Sequence, residues 1–267
     1  MSVRTVTSAD GTTLAHERFG EGPPVVLVGG AMSARGAGEP LARHLASVGM
    51  SAVVYDRRGR GDSGDTRPYA PERETEDLAA VVGALVAQEG GGAVYAFGMS
   101  SGGIVALNAA ARADRAFDRL VVFEPPFTGA AGQPQAVSHA PRLAELVGEG
   151  RRGEAVAYFM TEIVGLPPQA VEGARQSPAW GEMQKLAHTL VYDTTLQGDA
   201  DLPADTLAAA DLPTLVLSSD ASTPVLREAA RLTAEALPHG GHRTLAGAFH
   251  HVPPEQLAPI VRDFLLA

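Results

Sequence analysis

The residues best able to do chemistry gather around one serine. In Gly98-Met99-Ser100-Ser101-Gly102 a serine stands in a G-x-S-x-G motif. The motif follows a short apolar stretch, Ala93–Phe97, and opens a helical one, Ser101–Ala113. Strand, sharp turn and helix are the context in which such a motif lifts a hydroxyl clear of the backbone as a nucleophile. The glycines fit that use, because a strained turn leaves little room for a neighbouring Cβ. A serine attacking an acyl carbon builds negative charge on the carbonyl oxygen, and N–H donors must already face it. The backbone N–H of Ser101 is one candidate. The second comes from Gly29-Gly30-Ala31-Met32, which follows the apolar run Val25–Val28, with Ala31 preferred and Met32 as alternative. No metal-ligand spacing, P-loop or dinucleotide fingerprint occurs, so no metal and no cofactor is expected. Gly90-Gly91-Gly92 precedes a strand, which is the wrong side for cradling a phosphate.

Short apolar runs of the same kind recur at Ala52–Tyr55, Leu120–Phe123 and Thr214–Leu217, with a weaker one at Arg243–Leu245. Each is brief and largely β-branched, as expected of strands covered on both faces. Between them lie helical patterns. Glu72–Gln88 sets Leu78, Val81, Val82, Leu85 and Val86 on one apolar face, and Val225–Leu237 and Pro254–Leu266 read similarly. The alternation predicts an α/β fold around a mostly parallel, twisted sheet flanked by helices. It lapses from about Phe127 to Thr206, where Leu143–Val147, Ala155–Val164 and Trp180–Tyr192 read as helices and no buried strand is visible. That stretch is too long for a plain crossover. We therefore expect a core of residues 1–127 and 207–267, with 128–206 inserted as a helical cap.

Composition narrows the partners. With 21 Lys+Arg against 31 Asp+Glu the formal charge is −10, and basic residues occur only in short pairs such as Arg57-Arg58, which argues against nucleic acid. The apolar run that contains Ala79–Ala87 is far short of a membrane span, and Met1–Arg4 leads into polar residues without the pattern of a signal peptide. The absence of cysteine removes thiol nucleophiles and disulfides, and a cytoplasmic location is the default expectation.

Asp10-Gly11, the Gly29-Gly30 loop, Tyr55-Asp56-Arg57-Arg58-Gly59-Arg60-Gly61-Asp62-Ser63, Gly98–Gly102 and a late histidine occur here in the order seen in the α/β-hydrolase superfamily. The chain most resembles its small bacterial esterase and non-haem haloperoxidase (perhydrolase) branch. The resemblance spans the core and leaves out the cap, where substrate choice usually resides. It implies a triad in the order Ser, Asp or Glu, His. Ser100 is then the nucleophile, and His250, in Gly247-Ala248-Phe249-His250, matches the late histidine loop in preference to His251 or His242. Two positions depart from the pattern: residue 29, often histidine, is glycine, and the usual acid position falls on Ser222. Asp220 is one substitute. The superfamily's other solution puts the acid at the end of the preceding strand, where Glu124 stands, and Glu124 is favoured. In this family the Asp56–Ser63 loop is expected to brace neighbouring turns.

These residues lead to the expectation of a serine hydrolase acting on a carboxylic ester, thioester or lactone of a small apolar molecule through an acyl-enzyme. Tyr158, Phe159, Trp180, Met183 and Tyr192 are weaker candidates for lining its pocket. The alternatives are a non-hydrolytic enzyme of the same fold (cyclase, acyl transferase or perhydrolase) and a non-catalytic small-molecule binding protein. Monomer and homodimer stay equally open.

Overall fold

The structure is a computed structural model that describes residues 2–112, 114, 117–129 and 138–267. An N-terminal hairpin, β1 (Arg4–Thr7) and β2 (Thr13–Phe19), turns at Asp10-Gly11, where Asp10 Oδ1 accepts the Thr12 N–H at 3.0 Å. Then β3 (Pro24–Val28), α1 (Glu39–Ser47), β4 (Ser51–Tyr55), α2 (Pro71–Glu89), β5 (Tyr95–Met99), α3 (Ser101–Ala110) and β6 (Arg119–Phe123) alternate. The next helices are α4 (Ala140–Gly148), α5 (Arg152–Tyr158), α6 (Pro168–Arg175), α7 (Trp180–Lys185), α8 (Thr189–Gln197) and α9 (Ala204–Ala209). The chain closes with β7 (Thr214–Ser219), α10 (Pro224–Ala236), β8 (Gly240–Leu245) and α11 (Pro254–Leu265).

The eight strands form one sheet in the order β1-β2-β4-β3-β5-β6-β7-β8, antiparallel over the first two pairings and parallel from β4 onward. Strict alternation of side chains divides the core. Val26, Val28, Leu120 and Val122 pack under α2 and α3, whereas Val25, Leu27, Val121 and Phe123 pack against α1 and α11. From β3 the chain crosses to β4 on one side and then returns past β3 to β5 on the other. This reversal opens a crevice at the strands' carboxyl ends, the usual place for a ligand in such a sheet.

Two expected helices differ in detail. Trp180–Tyr192 folds as α7 and α8, separated where Leu186 and Ala187 donate three residues back, to Met183 and Gln184. Ala155–Val164 covers the end of α5 and the π-helical turn that continues it, Phe159–Ile163, and runs one residue past that turn. β5 starts two residues later than its apolar run, because Val94 is held by Asp118: its carbonyl accepts the Asp118 N–H and its N–H reaches the Asp118 carboxylate. β8 extends beyond its weak apolar signal as an exposed edge strand, so little of it needs to be hydrophobic. Among the described residues no strand lies between β6 and β7, and no helix is long and apolar enough to cross a membrane.

Candidate active site

Backbone strain marks the site. The non-glycine residues with positive φ include Met32 (53°), Ser100 (54°), Glu124 (47°) and His250 (52°). A left-handed backbone at a residue with a Cβ persists only where its surroundings enforce it, and such residues concentrate at functional sites. The enforcement is visible at Ser100, whose N–H is bonded to Phe123 O on β6 (2.9 Å) while its carbonyl caps Gly103 N (2.8 Å). The turn also depends on its glycines. A Cβ at Gly98 would lie 2.7 Å from Gly102 O, and one at Gly102 would press into the carbonyls of Val28 and Gly29. Both clashes are with backbone, which cannot swing away.

Glu124 immediately follows β6, with its N–H bonded to Leu217 O (2.9 Å) and its side chain fully buried. One carboxylate oxygen accepts the Ser219 N–H (2.6 Å), and the other meets His250 Nδ1 at 2.6 Å. A carboxylate so placed keeps the Nδ1 proton in place and leaves Nε2 free to act as a base. Asp220 is elsewhere. Its Oδ1 accepts the Gly247 N–H (3.0 Å) and its carbonyl accepts from Arg227. Ser222 accepts the His250 N–H (2.9 Å), and the Ser219 hydroxyl donates to Ala248 O (2.6 Å). The end of β7 and the loop after it thus brace the histidine loop at three points without supplying a carboxylate to the imidazole.

Ala31, Met32, Ser100, Ser101 and His250 line one cavity of about 540 Å³. The residues before Ala31 are tied down from behind. Arg57 Nη1 donates to Gly29 O (3.1 Å), and Arg60 Nη1 donates to Gly30 O (2.6 Å). Both arginines are buried and share Asp193 of α8 as their anion, while Glu74 takes the rest of the Arg57 guanidinium. Ser101 Oγ also donates to Asp193 Oδ1 (2.8 Å). Burial alone would raise the Asp193 carboxyl, but the charges of Arg60 and Arg57 outweigh it and hold the group below its ordinary value. The Asp56–Ser63 loop does brace its neighbours, and it does so partly through an aspartate that the sequence reading passed over. A signal was available: Asp193 lies three residues from both Leu190 and Leu196, on the buried face of its helix, where a carboxylate needs a partner.

Of the five weaker pocket candidates, Phe159 lines the cavity and the other four do not. Tyr158 is bonded to His139 (2.9 Å), and Trp180 carries the Arg175 guanidinium over its ring. Met183 packs among the helices between β6 and β7. Tyr192 stacks on Tyr69 and donates to Asp65. Apolar spacing on a helix marks a buried face without saying whether protein or ligand covers it. The apolar wall is supplied instead by residues such as Met99, Phe123, Ile163, Val164 and Leu226. Arg35, Arg57 and Asp193 are the charged Arg and Asp side chains in the lining, and each is already paired within the protein. Among the described residues no group of three or more His, Asp or Glu side chains is arranged to hold a metal ion.

The profile of a family described as serine aminopeptidase, S33, matches residues 23–256. An α/β-hydrolase from Sphaerobacter thermophilus is 48% identical, with 98% of this chain and 99% of that one covered and a TM-score of 0.89. An esterase from a Rhodococcus species (24% identity, 100% and 99% covered, TM-score 0.74) and a bromoperoxidase from Bacillus anthracis (18%, 100% and 100%, 0.72) share the fold.

Proposed function

This chain belongs to the α/β-hydrolase family described as serine aminopeptidase, S33, and on that premise we propose that it is a serine hydrolase of small, uncharged, mainly apolar carboxylic esters, thioesters or lactones. The observation that carries the reading is the 2.6 Å bond between buried Glu124 and His250 Nδ1, in the same cavity as Ser100 on its strained turn. Ser100 Oγ attacks the acyl carbon and its proton passes to His250 Nε2, while Glu124 stabilises the imidazolium. The N–H groups of Ala31 and Ser101 receive the developing oxyanion, and the positive end of α3 adds to the field there. His250 then protonates the leaving alcohol or thiol. Water, deprotonated by His250, attacks the acyl-enzyme, releases the acid and restores Ser100.

The paired charges of the cavity favour this substrate class. A free α-amino group would need an unpaired carboxylate, and Asp193, the acidic residue of the lining, is already held by two arginines and a serine. A free substrate carboxylate would likewise meet only cations with partners. We assign the helices between β6 and β7 to a cap that encloses the acyl group, since Phe159, Ile163 and Val164 contribute to the cavity wall.

Labelling by a fluorophosphonate probe tests the reading. The wild type is expected to label, Ser100→Ala and His250→Ala to lose labelling, and Glu124→Gln to label far more slowly. A folded wild type that does not label has no activated serine, and the reading would be withdrawn.

A further inference from the structure

Asp193 connects two halves of the site that are far apart in sequence. Its Oδ1 receives Arg57 Nη1 (3.0 Å), Arg60 Nη2 (2.8 Å) and Ser101 Oγ (2.8 Å), and its Oδ2 receives Arg60 Nη2 (2.9 Å). Arg57 Nη1 also donates to Ser101 Oγ (3.1 Å). The two arginines grip the carbonyls of Gly29 and Gly30, immediately before Ala31. Ser101 is itself the residue after the nucleophile. One carboxylate therefore braces, at a single remove, both peptide segments whose N–H groups are assigned to the oxyanion in the mechanism proposed above. Ala31 and Met32 also pack against the apolar cluster of α4, α5, α6 and α8. The loop is thus held by that cluster on one side and by the Asp193 ion pairs on the other.

We infer that Asp193 is the positioning residue of the oxyanion hole, through which α8 sets the spacing between the Ala31 and Ser101 N–H groups. This inference rests on the serine-hydrolase reading above. Asp193 touches no reacting atom in that mechanism. Donors pre-aimed at the oxyanion act mainly on the transition state, so a donor displaced by a fraction of an ångström weakens kcat more than ground-state binding.

The discriminating ligand is an aliphatic trifluoromethyl ketone. Ser100 Oγ adds to its carbonyl carbon, the hydroxyl proton passes to His250, and the carbonyl oxygen becomes an oxyanion held as in the transition state. Asp193→Asn keeps the side-chain shape and removes the charge that fixes the two arginines. It is expected to lower kcat on p-nitrophenyl butyrate by about 30- to 100-fold, below the about 10²–10³ seen when a whole donor is lost. KM should stay within about threefold, and ketone affinity should fall in proportion to kcat. Ser101→Ala removes one of the bonds to Asp193 without leaving a buried cation unpaired, so it folds even if Asp193→Asn does not. It is expected to lower kcat and ketone affinity together by about three- to tenfold. A folded Asp193→Asn protein with wild-type kcat and ketone affinity overturns the inference, as does a loss carried wholly by KM. If Asp193→Asn does not fold, wild-type values for Ser101→Ala overturn it. Failure of the wild type to label with a fluorophosphonate would instead overturn the hydrolase reading itself, so the two failures are distinguishable.

Discussion

Replacing Glu124 by glutamine should nearly abolish turnover, and the reason can be worked out atom by atom. The carboxylate accepts two hydrogen bonds at once, from the Ser219 backbone N–H and from His250 Nδ1, each at 2.6 Å. A glutamine has one acceptor oxygen and one NH2 donor for the same two positions. The Ser219 N–H is fixed by the backbone of β7 and can only donate. If the amide oxygen turned to His250, its NH2 would face that N–H inside a fully buried site, and two donors would oppose each other. The other orientation prevails, with oxygen toward Ser219 and NH2 toward His250. Nδ1 must then accept, so the imidazole proton moves to Nε2, the atom that takes the serine proton in the proposed mechanism. Holding a catalytic histidine in the wrong tautomer by such an acid-to-amide exchange costs about 10⁴ in kcat, or about 5.4 kcal/mol at about 1.36 kcal/mol per tenfold. Because the defect is electronic and the shape is kept, KM on p-nitrophenyl butyrate should change little. Steady-state kinetics on protein shown to be folded by circular dichroism reads both parameters. A Glu124→Gln variant whose kcat is within about tenfold of wild type would refute the tautomer reasoning and the assignment of the acid together.

Asp220→Asn provides the complementary result: its Oδ1 serves only the Gly247 N–H, an amide oxygen can replace it, and kcat should stay within about threefold of wild type in the same assay. Gly98→Ala would force a Cβ to 2.7 Å from backbone atoms of Gly102 and Gly103, and should destabilise the protein by about 1–3 kcal/mol, read as a lower urea midpoint at unchanged m-value. Burial alone would raise the Asp10 carboxyl, but hydrogen bonds from Arg58 and Thr12 prevail and hold it at about 2, below its ordinary 3.8. Its contribution to stability is then fully present above the unfolded value and is lost as pH falls from near 4 through about 2, so Asp10→Asn should flatten that part of the acid-denaturation curve. Equal slopes of stability against pH in the two proteins over that window would contradict the ion pair's role.

Much of the core was legible in the chain because its signals are local. Buried parallel strands must be short and apolar on both faces, so β3, β4 and β6 stand within one residue of their β-branched runs and β7 within two. The G-x-S-x-G turn needs small neighbours wherever it occurs, so Ser100 is marked by composition alone. Helices that pack on the sheet carry an apolar stripe of fixed period, and α2, α10 and α11 do so. The strand that escaped a full reading, β8, lies at the sheet edge, where burial imposes no pattern.

The sequence by itself determined the order of elements, the sharp turn at Ser100 and the late histidine loop, because backbone sterics and two-sided burial constrain residues near one another in the chain. Tertiary structure alone decided which of two carboxylates meets His250. Glu124 is 126 residues from that histidine, and only the side-by-side pairing of β6 and β7 brings its carboxylate to the Ser219 N–H and to Nδ1. It also decided that Phe159 faces the cavity while Trp180 and Tyr192 do not. The same holds for Asp193, an acid on a helix far along the chain that reaches Ser101 directly and the Gly29-Gly30 turn through Arg57 and Arg60. Such contacts depend on how a helix distant in the chain docks, and docking is set by the packing of whole faces, which no local spacing records.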